Sequence, residues 1–142
     1  MSWLYIDTST LVRLSGVERP GHPSLTTLVD GYLDNGGRLV SSEILRLEVR
    51  RVAVRIINSG HDASALLASL AAVTDLRAFD SEVRTRAWAI TQTIKTLDSI
   101  HVATCALLRD EGLDIAMATS DLTMRSVAQA LGLAVQFVPV PR

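Results

Sequence analysis

The chain has 142 residues, 48% of them hydrophobic and 20% charged, with a net charge of −1. A chain of this length buries about two-thirds of its unfolded surface and supports one domain, here taken as residues 1–142, without disulfides or a structural metal. The composition excludes global disorder, no apolar run reaches the roughly 18 residues of a membrane span, and the near-neutral charge creates no whole-molecule field for nucleic acid.

In chain order, residues 3–6 (Trp-Leu-Tyr-Ile) read as a short buried strand, followed by a short helix over 9–14. No basic segment precedes that strand and Asp7 ends its apolar run, so no signal peptide is expected. The breakers between Gly16 and Pro23 mark a loop. Ser24 is the expected cap of a helix to residue 35, closed by Gly36 and Gly37. A strand over 39–41 leads into a long helix over 43–58. His61 or Asp62 opens another helix to residue 72. A third strand spans 74–79, Asp80 caps a helix over 81–94, and Thr96 is the candidate cap for a helix over 97–111. A fourth strand over 115–118, a helix from Ser120 or Asp121 to Leu131 and a fifth strand over 134–138 complete the chain. Short apolar strands separated by helices mean crossovers and a parallel sheet. The expected class is α/β, a three-layer α/β/α domain on a short, mostly parallel five-stranded sheet. Ligands of such sheets bind beyond the carboxyl ends of the strands.

Four acids from distant segments are expected at that rim. Asp7 follows the first strand directly, and Asp121 follows the fourth after Thr119 and Ser120. Asp98 lies in the first turn of its helix, and Glu48 lies one turn into the helix after the second strand. Four carboxylates in one cleft repel and take up protons unless cations hold them ionised. Hard oxygen ligands with open positions suit Mg²⁺ or Mn²⁺, which lower the pKa of bound water and steady a phosphodiester's leaving oxygen. Placement alone leaves a plainer alternative open, because Asp is also a good helix cap. Asp62 and Asp80 read as caps only.

The local sequences bear on that choice. Tyr5-Ile-Asp-Thr-Ser-Thr-Leu-Val-Arg-Leu14 resembles the opening motif of PIN-domain ribonucleases. Ser41-Ser-Glu-Ile-Leu-Arg-Leu-Glu-Val-Arg-Arg51 is similar to their second motif, Leu97-Asp-Ser-Ile-His-Val-Ala-Thr104 to their third, and Ala118-Thr-Ser-Asp-Leu122 to their fourth. The four motifs occur in register along nearly the whole chain, in a size and style similar to the VapC toxins of bacterial toxin–antitoxin pairs. The resemblance implies a PIN-like fold in which Asp7, Glu48, Asp98 and Asp121 are the catalytic, metal-binding acids. It places Ser9 on a hydroxyl that helps order the site and Thr119 just behind the ligands. Glu43 competes with Glu48 for the motif position, and the Arg-Leu-Glu-Val context favours Glu48. The implied activity is a Mg²⁺-dependent (or Mn²⁺-dependent) endoribonuclease that cuts single-stranded RNA to leave a 5′-phosphate and a 3′-hydroxyl. The implied setting is a cytoplasmic homodimer blocked by a cognate antitoxin protein, with no membrane association.

His101 follows Asp98 by three residues and Cys105 by seven, on one helix. With no CxxC or HxxxH they do not make a zinc site, and His101 is expected beneath the acids, hydrogen-bonded to a neighbour. The lone Cys105 cannot form an internal disulfide, which suits a cytosolic protein. Arg46 and Arg50 share a helix stripe, as do Arg51 and Arg55. The first pair either follows RNA phosphates or pairs with acids on a solvated face. Trp3 and Trp88 are expected in the core or at a dimer contact. Two other functions fit the sequence less well. A non-catalytic PIN-like domain binding RNA or protein is disfavoured by the intact acid set. An aspartyl-phosphate domain is disfavoured because Thr8 and Ser9 stand where it needs acids, and Lys95 precedes the fourth strand.

Overall fold

The structure, a computed structural model, describes residues 2–17 and 23–140. Strands β1 (Ser2–Ile6), β2 (Arg38–Ser42), β3 (Asp75–Arg77), β4 (Asp114–Thr119) and β5 (Ala134–Phe137) form one sheet in the order β3-β2-β1-β4-β5. Every pairing is parallel, with Tyr5 opposite both Val40 and Met117 and Ile6 opposite Ala118. Parallel neighbours need crossovers, and seven described helices supply them: α1 (Thr8–Ser15), α2 (Pro23–Asp34), α3 (Ile44–Asn58), α4 (Ser64–Ala72), α5 (Ser81–Trp88), α6 (Thr96–Asp110) and α7 (Leu122–Ala130). No described helix is long and apolar enough to cross a membrane.

Strand alternation builds the two faces. Leu4 and Ile6 point into a core with Leu11, Leu25, Leu45, Val49 and Leu66 from α1–α4. Tyr5 points the other way, into a core with Val102, Cys105, Met117, Met124 and Val127 under α6 and α7. Val83 of α5 packs on Ile100, Ala103 and Leu107 of α6. The result is the three-layer α/β/α architecture expected from the element order. From β1 the chain steps to β2 and β3, then crosses to β4 and β5 on the other side. The strand order therefore reverses between β1 and β4, and the crevice of such a sheet opens at that point.

Several boundaries differ from expectation for local reasons. The helix expected over 81–94 ends at Trp88. Ile90, Thr91, Thr93 and Ile94 are β-branched and poor helix formers, and Ile90 and Ile94 pack instead against the core beneath α6. Ser24 does not cap α2. Pro23 is the first helical residue, where its fixed φ and missing N–H are tolerated, and the position before it lies outside the described residues. Most of the expected 16–23 loop lies outside them too. Thr96 begins α6 rather than preceding it. The helix expected to open at His61 or Asp62 begins at Ser64 with Ala63 in the cap position, and Asp62 accepts the Ser64 amide at 2.8 Å just ahead of it. Gly37 is required where β2 begins, because a Cβ there would lie 2.6 Å from the Ser2 carbonyl oxygen and 2.7 Å from that of Tyr32.

Candidate active site

The carboxyl ends of β1 and β4 are adjacent, so the residues leaving them emerge side by side. Asp7 leaves β1 in extended conformation and caps α1, its Oδ1 accepting the Thr10 amide at 2.9 Å. The Thr10 hydroxyl donates to the Ala118 carbonyl on β4 at 3.3 Å, and the Ser41 hydroxyl of β2 donates to the Ile6 carbonyl at 2.5 Å. The start of α1 is thereby fastened to β4 and the end of β1 to β2. On β4, the buried Thr119 hydroxyl accepts the Asp121 amide at 3.1 Å, and Asp121 caps α7, its Oδ1 accepting the Met124 amide at 2.7 Å. Asp7 is buried and Asp121 is exposed. Each uses one carboxylate oxygen as a cap, and its other oxygen has no hydrogen-bond partner among the described residues. Capping and availability to a ligand are therefore not alternatives at these two positions.

Asp98 completes the group from the first turn of α6. Its carboxyl is pushed above the usual range, first by desolvation and then by the negative charges of Asp7 and Asp121, with His101 and Lys95 opposing. The three acids from β1, α6 and β4 thus share one electrostatic environment. Among the described residues, no three His, Cys, Asp or Glu side chains stand close enough as placed to hold a metal ion.

Glu48 joins through a different contact. Its Oε1 lies 2.8 Å from Nε2 of His101, and His101 Nδ1 lies 2.8 Å from the Tyr5 hydroxyl. A carboxylate only accepts, so Nε2 donates. Burial holds the Tyr5 phenol well above its ordinary pKa of 10.0, so Tyr5 keeps its proton and its hydroxyl hydrogen-bonds Nδ1. His101 is 1% exposed and Tyr5 fully buried. The expectation that His101 hydrogen-bonds a neighbour beneath the acids is met, and both its nitrogens are occupied. Cys105 lies in the core with its thiol pushed up to about 12 by burial, which suits no metal-binding role.

Glu43 is occupied elsewhere. Its Oε1 accepts the Phe79 amide at 2.7 Å and its own amide donates to the Arg77 carbonyl at 2.8 Å, clamping the exit of β3 to the start of α3. Ser9 is exposed in the first turn of α1. Arg46 and Arg50 lie on the exposed side of α3, opposite the buried row Leu45, Val49, Ala53 and Ile56, and form no ion pair among the described residues. Trp88 is 90% exposed and so lies outside the core, whereas Trp3 is half-buried with the Arg38 guanidinium 5.5 Å from its ring. Asp80 caps α5 and pairs with Arg77 at 2.9 Å, as its capping role requires. Tyr5 is the residue of this region that sequence reasoning passed over. Its only signal was a hydroxyl-bearing ring in an otherwise apolar strand.

The family model of the PIN domain matches residues 4–130. The chain belongs to the PIN-domain family. Among solved structures, its fold matches a chain in the crystal structure of VapBC2 from Rickettsia felis bound to a DNA fragment from their promoter. The TM-score is 0.72 at 11% identity, over 96% of this chain and 98% of that one. No curated protein sequence matches the chain.

PIN-domain nucleases typically depend on a divalent metal, and the donor chemistry of this PIN domain fits one. The available atoms are carboxylate oxygens, the hard donors that Mg²⁺ and Mn²⁺ take. Asp98, whose carboxyl is pushed up by desolvation and then by the negative charges of Asp7 and Asp121, would gain from a cation among the three. Beside Asp7, the Thr8 hydroxyl is buried without a hydrogen-bond partner among the described residues.

Proposed function

We propose that this PIN domain is a metal-dependent endoribonuclease and the toxin of a type II toxin–antitoxin pair, cutting single-stranded RNA in the cytosol. The observation that carries the proposal is the shared field of Asp7, Asp98 and Asp121 at the switch point of a PIN-family sheet. Asp7, Asp98 and Asp121 would hold Mg²⁺ or Mn²⁺, with Glu48, tied to His101 of α6, as a fourth candidate ligand. The ion, when bound, supplies charge neutralisation for the phosphodiester and a water acidified toward hydroxide.

The chain's own residues perform the rest. The caps at Thr10 and Met124 fix the torsions of Asp7 and Asp121, so neither carboxylate must be ordered when substrate arrives. Thr119 holds the Asp121 backbone, and Ser9 lines the rim at the opening of α1. Arg46 and Arg50, without ion-pair partners among the described residues, present guanidinium forks for RNA phosphates along the helix that carries Glu48. Water attack in line with the 3′-oxygen leaves a 5′-phosphate and a 3′-hydroxyl. A homodimer and an antitoxin segment laid over the acid cleft complete the proposal. The VapBC2 complex is the structural parallel for such a partner.

The test is direct. Purified protein is incubated with a single-stranded RNA and Mg²⁺ or Mn²⁺, with and without excess EDTA. Cleavage that needs the ion and stops with the chelator is expected. Cleavage undiminished in EDTA, or none with either ion, overturns the proposal.

A further inference from the structure

We propose that His101 is a positioning residue for Glu48, and that the buried chain Tyr5–His101–Glu48 locks together the three segments bearing Asp7, Asp98 and Glu48. This rests on the metal-nuclease proposal above and extends it to residues that touch neither ion nor RNA.

Tyr5 precedes Asp7 by two residues on the strand that Asp7 leaves, and His101 follows Asp98 by three residues on α6. The hydrogen bonds Tyr5 Oη to Nδ1 and Nε2 to Glu48 Oε1, both 2.8 Å, span 96 and 53 residues of sequence. A single imidazole thereby connects β1, α6 and α3. Residues three apart on a helix share a face, so the rotation that brings His101 onto Tyr5 also fixes where Asp98 projects.

The burial pattern favours an active role over mere satisfaction of a core histidine. Tyr5 alone would satisfy one nitrogen of a buried ring. The other nitrogen is spent on an acid that is half-exposed and free to seek water. Glu48 has a long side chain, and without a tether its carboxylate samples many rotamers. With Oε1 held by His101, Oε2 has no partner among the described residues and stays available to a cation. The Tyr5 hydroxyl on Nδ1 sets the ring orientation and leaves the Nε2 proton for Glu48. Hydrogen bonds to a metal-ligating side chain commonly govern metal affinity by about 10–100-fold.

Two substitutions separate the halves of the relay. Asn at position 101 reaches the Nδ1 position but not Nε2, so His101→Asn keeps Tyr5 and releases Glu48. Gln reaches the Nε2 position, so His101→Gln retains a donor for Glu48. The full-length chain is titrated calorimetrically with Mn²⁺ alone, its RNA cleavage is resolved into kcat and KM, and its thermal unfolding is followed. His101→Asn is expected to weaken Mn²⁺ binding about 10-fold or more and to lower kcat with little change in KM. His101→Gln is expected to restore most of both. In a Glu48→Gln background, His101→Asn should add no further loss, because the group it positions has already been changed. A purely structural His101 predicts otherwise, with a lower melting temperature, unaltered Mn²⁺ affinity in the folded protein, and losses that add to those of Glu48→Gln. Should His101→Asn fail to fold, Tyr5→Phe carries the test. It removes only the buried hydroxyl and should weaken Mn²⁺ binding by a smaller factor, about 3–10-fold. Wild-type Mn²⁺ affinity in a folded His101→Asn or, failing that, Tyr5→Phe variant overturns this inference while leaving the nuclease proposal standing. A wild-type chain that neither binds Mn²⁺ nor cuts RNA overturns both.

Discussion

Asp121 offers the sharpest separation of a cap from a proposed ligand. Its Oδ1 accepts the Met124 amide at 2.7 Å, and Oδ2 has no partner among the described residues. Asp121→Asn keeps the carbonyl oxygen that caps α7 and removes the charge, whereas Asp121→Ala removes both. Loss of such a cap costs about 1 kcal/mol, which lowers the melting temperature of a domain this size by about 3–5 °C. The Asn variant loses a favourable charge at a helix N-terminus, worth about 0.3–1 kcal/mol. It also removes one of the two like charges that push the Asp98 carboxyl upward. These effects oppose each other, so Asp121→Asn should melt within about 2 °C of wild type when metal-free. Cleavage should behave differently. A hundredfold loss of kcat corresponds to about 2.7 kcal/mol of transition-state stabilisation. Partial unfolding cannot imitate it, because losing about 1 kcal/mol from a typical stability of at least 5 kcal/mol still leaves the protein almost wholly folded. The assay is single-turnover cleavage of a single-stranded RNA with Mg²⁺, beside metal-free thermal unfolding at several pH values. Because the folded-state pKa of Asp98 is raised, its ionisation opposes folding. That contribution to stability is complete below the ordinary Asp range and is lost as pH rises through the elevated value. Asp121→Asn should make this loss smaller. Asp80→Asn, at a capping acid paired with Arg77, should keep full activity. Asp121→Asn that cleaves RNA at the wild-type rate would refute the reasoning and leave Asp121 a helix cap.

Other outcomes test neighbouring parts of the structure. Replacing Arg46 and Arg50 together by Ala should weaken RNA binding for all sequences alike and reduce the salt slope by about one to two. An unchanged slope would remove these arginines from the RNA path. Glu43→Ala should destabilise by about 1–2 kcal/mol through the lost Phe79 amide contact yet keep most cleavage, whereas Glu48→Ala, which leaves the buried His101 Nε2 without its partner, should cost comparable stability and lose cleavage as well; chemical denaturation and a cleavage assay distinguish them. The Cys105 thiol, buried and pushed up to about 12, should resist a thiol reagent at pH 8 until the protein unfolds, and prompt labelling of the native state would contradict its packing.

Much of the architecture is written in local pattern. Strand and helix alternate in the sequence with their own periodicities, and breakers such as Gly36-Gly37 punctuate them, so five parallel strands and three layers follow from neighbours a few residues apart. The acids at the rim were legible for the same reason, since Asp7 and Asp121 immediately follow apolar strands and Asp98 opens a helix. Local pattern was less informative where propensity and packing compete, as at Ile90 and Ile94, which leave the helix to join the core. It was silent on contacts between remote side chains. Nothing near Glu43 or Glu48 states that the first clamps Phe79 and the second meets His101, or that Trp88 points to solvent. Nor does cap against ligand resolve at Asp7 and Asp121 until one oxygen of each carboxylate is seen to cap a helix while the other has no hydrogen-bond partner among the described residues. Elements are decided by steric and hydrogen-bonding preferences that act along the chain. The partner of a buried polar group is decided by which distant segments the sheet order brings within 3 Å, and only the folded chain determines that.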